Sequence, residues 1–325
     1  MSPIIVPPRW KIPEREATPE SVYLRRREFL KALGLGGAAA GLFLAGCGPG
    51  DGSGAEKLPP SPIDPTGRTP ARRNPRYTLD RPLTEEVVAA RYNNFYEFST
   101  QKEKVATLAK GFRMRPWTLE VTGLVSKPAR FDVDDLVRKM PIEERLYRHR
   151  CVEAWAMAVP WTGFPLSALL KRVEPHAEAR FVRFVSFDKP RTEGMKETAS
   201  WIPWPYHEGL TIEEAMCDLT LLVTGIYGHP LPPQHGGPIR LVTPWKYGYK
   251  SAKSIVRIEL AATRPPTLWN QVAPDEYDFF ANVNPAKPHP RWSQATERMI
   301  GTGEQRPTRL YNGYAEFVAG LYGKG

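Results

Sequence analysis

The chain reads as an α+β protein, with short helices set between the strands of one or two mixed sheets. Three observations predict this. Strand-like runs of alternating or purely apolar residues recur between residues 117 and 262, and only short helical patterns separate them. The 34 prolines, many in recognisable loops, argue against a helical bundle. With 325 residues, 41% hydrophobic and 25% charged, there is material for one large domain or two small ones.

The elements follow in order. TEEVVAARYNNFYEF starts as a helix capped by Thr84 and runs into an aromatic loop. WTLEVTGLV (117–125) alternates as a strand, and SKPARFDVDDLVRK passes through a turn into a helix capped at Asp132. FPLSALLKRV reads as a helix, ARFVRFVSF as a strand, TIEEAM as a helical turn capped by Thr211, and LTLLVTGIYG as an apolar strand. IRLVTPWKYGYK and SIVRIELA are expected to be the last two strands of the core. The Pro- and aromatic-rich tail from Thr263 is expected to wrap over the surface.

Upstream of this domain, residues 48–82 are rich in Gly, Pro, Ser and charge, and predict a flexible linker. The expected organisation is therefore a signal segment over 1–46, a linker over 47–82 and one domain over 83–325. Arg26-Arg27-Glu28-Phe29-Leu30-Lys31 fits a twin-arginine export signal, and the weakly hydrophobic stretch 32–46 behind it is short for a membrane span. Export by that machinery carries folded proteins to the periplasm, so a nucleic-acid partner is set aside. Leu44-Ala45-Gly46-Cys47 also matches a lipoprotein cleavage box. Lipid anchoring through Cys47 and ordinary removal of the signal both stay open. The formal charge is +10, of which +3 belongs to residues 1–46.

Four clusters carry polar chemistry. In Tyr92-Asn93-Asn94-Phe95-Tyr96-Glu97-Phe98, amides and a Tyr-Glu pair suit hydrogen bonding to a heterocycle. In Arg148-His149-Arg150-Cys151-Val152-Glu153, neighbouring cations favour the thiolate of Cys151, the form that binds metals. A buried structural cysteine is the plain alternative. No second cysteine stands at zinc-ligand spacing, and no local signature marks a cysteine protease. In Gln234-His235-Gly236-Gly237-Pro238-Ile239-Arg240, the glycines permit close backbone approach and Arg240 suits a phosphate. The fourth runs from Trp245 to Ser254. It places Lys246, Lys250 and Lys253 among small residues, a pattern able to cradle a phosphate. No Walker loop or dinucleotide fingerprint accompanies it, so the phosphate is not expected to be a nucleotide's.

From about Tyr92 onward the sequence resembles the molybdenum-containing catalytic subunit of periplasmic protein-methionine-sulfoxide reductases, within the sulfite oxidase superfamily. YNNFYEF, RCVEAW, PWTGFPL, LPPQHGGPIRL, PWKYGYKSAKSI, PDEYDFFANVNP and HPRWSQATER carry the resemblance. It implies a sulfite oxidase-like molybdopterin-binding domain with a molybdenum-molybdopterin cofactor, and Cys151 as the only protein ligand to the metal. It places Asn93, Tyr96 and Glu97 against the molybdopterin, and Arg240 with Ser251, Ala252 and Lys253 at its phosphate end. Ser186 stands where the family has Thr, and His235 where it has Asn.

The implied reaction reduces methionine sulfoxide in oxidised periplasmic proteins by oxygen-atom transfer to molybdenum. The implied electron donor is a haem-containing, quinol-linked membrane subunit. Three rivals remain: sulfite oxidation on the same fold, which would want several arginines near the metal, Arg148 and Arg150 being the candidates; a non-enzymatic exported binding lipoprotein; and a structural Cys151–Cys217 disulfide.

Overall fold

The computed structural model describes residues 61–188 and 202–323. The expected signal segment, Cys47 and the start of the expected linker lie outside the described residues. The linker reading needs correction over its second half, because residues 61–82 are laid on the domain. Arg68 donates to the Met140 carbonyl at 3.1 Å and Arg73 pairs with Glu144 at 2.6 Å. Tyr77 is 3% exposed and hydrogen-bonds Asp218. The strap is held by long basic side chains and one aromatic ring rather than by an apolar run, so its composition reads as linker.

Two mixed sheets form the domain. The first contains β1 (Thr118–Gly123), β2 (Ala129–Asp132), β5 (Phe181–Ser186), β6 (His207–Thr211) and β10 (Ile255–Ala261), in the order β2-β1-β10-β5-β6. β1 and β10 are parallel and every other pair is antiparallel. The second has seven strands. Its centre is the hairpin of β3 (Glu143–Arg150) and β4 (Trp155–Pro165), joined by β7 (Leu221–Ile226), β8 (His229–Pro230) and β9 (Arg240–Val242). β11 (Thr296–Met299) lies parallel to β4, and β12 (Gln305–Pro307) closes that edge. IRLVTPWKYGYK supplies only the three residues of β9, and the tail beyond Thr263 is more than a surface wrap, since it adds two strands.

The short helices obey their sequence signals. Asp132 accepts from the Asp134 and Asp135 amides to cap α3 (Val133–Lys139), which follows α1 (Glu86–Arg91) and α2 (Val105–Leu108). In α4 (Leu166–Val173) the buried Leu166, Leu169, Leu170 and Val173 stand at i, i+3, i+4 and i+7, each contributing about 1.5–3 kcal/mol by burial. Thr211 and Glu214 form a capping box on α5 (Ile212–Met216). Thr84 does not cap α1. Its amide and hydroxyl are both bonded across to Ala158 of β4, at 2.8 and 3.0 Å, and Glu85 takes the N-cap position. That bonding ties the start of the YNNFYEF loop to the strand behind Cys151.

Candidate active site

Residues of the second sheet, with the loops before β6 and between β9 and β10, converge on one cavity of about 830 Å³, measured to its open mouth. The YNNFYEF loop forms one wall. Phe95 and Phe98 turn inward, 4.8 Å apart edge to face, onto Val105, Ala109 and Phe187, and this packing leaves the polar residues between them facing the cavity. Asn93 is at the lining, but its side-chain amide donates to the Ala90 carbonyl at 2.8 Å and so closes the end of α1. Asn94 is the one that reaches the sulfur: its Nδ2 lies 3.4 Å from Cys151 Sγ and 3.1 Å from Glu153 Oε2.

Cys151 follows the last residue of β3, in the tight turn to β4. The turn is closed by Cys151 N–H to the Trp155 carbonyl (2.9 Å) and Ala154 N–H to the Cys151 carbonyl (3.1 Å), with Ala154 in the left-handed region at φ 65°. Sγ also accepts from the Glu153 amide at 3.5 Å. Glu153 Oε2 gathers Asn94, Lys102 (3.0 Å) and Trp155 Nε1 (3.0 Å), which hold its carboxyl below the usual range against the opposing effect of burial. Burial, reinforced by the Glu153 charge, pushes the Cys151 thiol up to about 12. The expected stabilisation of a thiolate by flanking arginines is therefore not what the structure shows. Arg148 turns to Asp80 (3.3 Å) and the Gly313 carbonyl (2.9 Å), and Arg150 to the Cys151 carbonyl, Gln294 and Glu297. Cys151 and Cys217 are both free thiols, which removes the disulfide alternative.

The opposite end is cationic. Arg240 is 3% exposed and its guanidinium bonds only backbone carbonyls, those of Leu241 (3.2 Å), His235 (2.9 Å) and Ser251 (3.3 Å). No carboxylate pairs it among the described residues, and burial lowers its pKa to about 9. Lys253 donates to the Asn94 carbonyl at 2.6 Å, and burial pushes its pKa down while burial pushes Glu97 up. His149 and His235 line the same end, and burial, with the Arg240 and Lys253 charges, holds both neutral down to about pH 3.

Several expected contacts move. Ser186 and Ala252 do not line the cavity: Ser186 Oγ donates to the Lys253 carbonyl at 2.7 Å, and Ala252 is 1% exposed in the backbone behind. Lys246 and Lys250 are buried in ion pairs with Glu214 and Glu208, so of the three lysines only Lys253 faces the cavity. Gly236, at φ 93°, serves the protein rather than a ligand, since a Cβ there would stand 2.7 Å from the Lys253 side chain. Asn93, Tyr96, Glu97, Cys151, His235, Arg240, Ser251 and Lys253 do come together. They are joined by Tyr206, Tyr249, Trp269 and Tyr277 from distant loops, whose place only the topology reveals.

Residues 106–269 match the family model described as the oxidoreductase molybdopterin binding domain. The chain belongs to this family. Its fold is an α+β molybdopterin-binding oxidoreductase domain, and its cofactor is molybdenum-molybdopterin. Among solved structures, the sulfane dehydrogenase SoxCD from Paracoccus pantotrophus is 18% identical, with a TM-score of 0.43. The alignment covers 82% of this chain and 64% of that one.

The cavity fits such a group on two counts. A buried guanidinium without an acid partner, set beside Lys253 and two neutral imidazoles, is matched to an anionic phosphate. Among the described residues no three His, Cys, Asp or Glu cluster to hold a metal ion, while a single thiol, that of Cys151, faces the cavity. That donor set suits a metal that brings its other ligands with it.

Proposed function

We infer that this molybdenum oxidoreductase reduces methionine sulfoxide in oxidised envelope proteins, as the catalytic subunit of a protein-repair system. Cys151 would hold molybdenum, and Arg240, Lys253 and the Ser251 backbone would hold the phosphate end of the pterin. When bound, the cofactor supplies oxygen-atom and two-electron transfer. The chain's part is to hold the sulfur ligand, to keep water out of the deep end and to admit the substrate.

One observation carries the choice of substrate. The surroundings of Cys151 are aromatic and uncharged overall, with Tyr92 edge-on to Trp155 at 5.2 Å and Tyr96 edge-on to Trp269 at 5.1 Å, and both neighbouring arginines face away. A sulfite dianion wants guanidinium groups beside the metal. A sulfoxide is neutral, and the thioether it becomes packs favourably on aromatic rings. The mouth of the cavity is open to solvent, as a side chain carried on another protein requires.

Electrons are proposed to come from a haem-bearing, quinol-linked membrane subunit. The twin-arginine signal is read as placing the enzyme in the periplasm, with a lipid anchor at Cys47 as its variant. The test is to supply the loaded enzyme with an oxidised Met-containing peptide and a reduced viologen, and separately with sulfite and an electron acceptor. Turnover of the peptide sulfoxide and none of sulfite is expected. Sulfite turnover with an inert sulfoxide would replace this reading.

A further inference from the structure

The HPRWSQATER segment has no part in the cavity lining, yet it grips the turn that carries Cys151. Trp292 Nε1 and Gln294 Nε2 both donate to the Val152 carbonyl, each at 2.7 Å. Gln294 is 1% exposed and is itself held by Arg150 Nη2 at 2.8 Å on its Oε1, which fixes the amide orientation. His289 stacks flat on Trp292 at 3.8 Å, so the indole is fixed too. Two strong donors on one carbonyl of a tight turn exceed what closing the turn needs, because its own backbone bonds already do that.

The Val152 carbonyl and the Glu153 N–H belong to the same planar peptide unit. That N–H is the one directed at Cys151 Sγ, at 3.5 Å. Donors on the carbonyl fix the plane and polarise the unit, strengthening the N–H as a donor at its other end. We propose that Trp292 and Gln294 are positioning residues that act through the Val152–Glu153 peptide to set the N–H···S hydrogen bond on the sulfur ligand. A donor on a metal-bound thiolate withdraws charge from it and favours the reduced metal, so this bond raises the metal's potential. The inference rests on Cys151 being the metal's protein ligand.

The experiment compares Trp292→Phe, which keeps the ring on His289, and Gln294→Leu with the wild-type enzyme, all from a host that makes the cofactor. Metal content per chain, the visible absorption of the metal and its midpoint potential are measured, with Cys151→Ala as control. Wild-type metal content with a midpoint displaced downward in both variants is expected. An unchanged midpoint in fully loaded variants overturns the proposal. So does loss of metal from a folded Trp292→Phe, since that makes the segment a retention device. If Trp292→Phe fails to fold, Gln294→Leu decides alone by the same two readouts. A Cys151→Ala chain whose bound metal keeps the wild-type visible absorption refutes the ligand assignment itself and is recognised separately.

Discussion

Asn93 and Asn94 are adjacent and do different work, because the backbone between them turns from the end of α1 into the cavity wall. Asn93 spends its amide on the Ala90 carbonyl, while Asn94 brings its amide to Cys151 and Glu153. Arg240 shows the same economy in reverse: it is a charge placed where the metal-free fold has no use for it. It lies 5.1 Å over the Trp161 ring and bonds three carbonyls, with no counter-ion among the described residues. Burying a charge without a partner is costly, and an apolar replacement of similar volume relieves that cost. Arg240→Met is therefore expected to leave the metal-free chain within about 1 kcal/mol of wild type, the relieved charge offsetting the donor lost to three carbonyls. Cofactor affinity should fall about ten- to hundredfold, the worth of one charge-assisted bond. Parallel urea melts of cofactor-free protein and metal content after dialysis check the two halves. A variant unfolded without cofactor would make Arg240 structural instead.

At the scale of elements, the strap over residues 61–82 is the least expected piece. Tyr77 sits under it, edge to face with Tyr147 at 5.4 Å, with the Arg145 guanidinium 4.4 Å from its ring centre and its hydroxyl on Asp218. Removing that ring leaves a cavity and takes one hydrogen bond from Asp218, which keeps Arg76 and Arg145. Tyr77→Ala is expected to cost about 3 kcal/mol of stability, read from the denaturation midpoint, with cofactor content per folded chain unchanged. The helices at 133–139, 166–173 and 212–216 were legible because their caps and apolar spacing are local facts of the sequence. So were the clusters around Asn93, Cys151, His235 and Lys253, since each is a short run of unusual residues. Which lysine faces the cavity was not legible. Lys246 and Lys250 differ from Lys253 only in having Glu214 and Glu208 opposite them, 32 and 42 residues away along the chain. The strands at 296–299 and 305–307 escaped for a related reason: each is short and polar on its outer face, and the first pairs with β4, far off in sequence, while the second pairs only with the first.

Over the whole molecule, the buried histidines make the metal-free chain sensitive to acid. His149 and His235 are depressed to about 3 and His289 to about 4, chiefly by burial, against about 6.5 in the unfolded chain. A depressed histidine is neutral in the fold and takes up its proton first on unfolding, so its contribution is full above pH 6.5 and is lost as the pH falls toward the folded value. Glu97 runs the other way. Its raised value adds stability as the pH falls toward about 4.5, the ordinary range for a glutamate, and partly masks the histidines there. Below that point Glu97 no longer compensates, and the lowered carboxyls Asp80, Glu153 and Asp278 begin to add to the loss. Stability of the cofactor-free protein is thus expected to fall by about 3 kcal/mol per pH unit from about pH 6 to 4.5, where Glu97 offsets one of the three histidines, and more steeply, by about 4 kcal/mol per pH unit, just below 4.5. His235→Asn removes one of those protons and should flatten the steep limb by about a third. A bound phosphate beside His149 and His235 would favour their charged forms, so the loaded enzyme should show a shallower limb than the cofactor-free chain. Urea midpoints of wild type and His235→Asn at pH 7, 5, 4 and 3.5, with and without cofactor, measure both effects. Identical slopes for the two cofactor-free proteins would mean that His235 is already protonated in the fold. The cationic end of the cavity would then carry one more charge than the geometry assigns it.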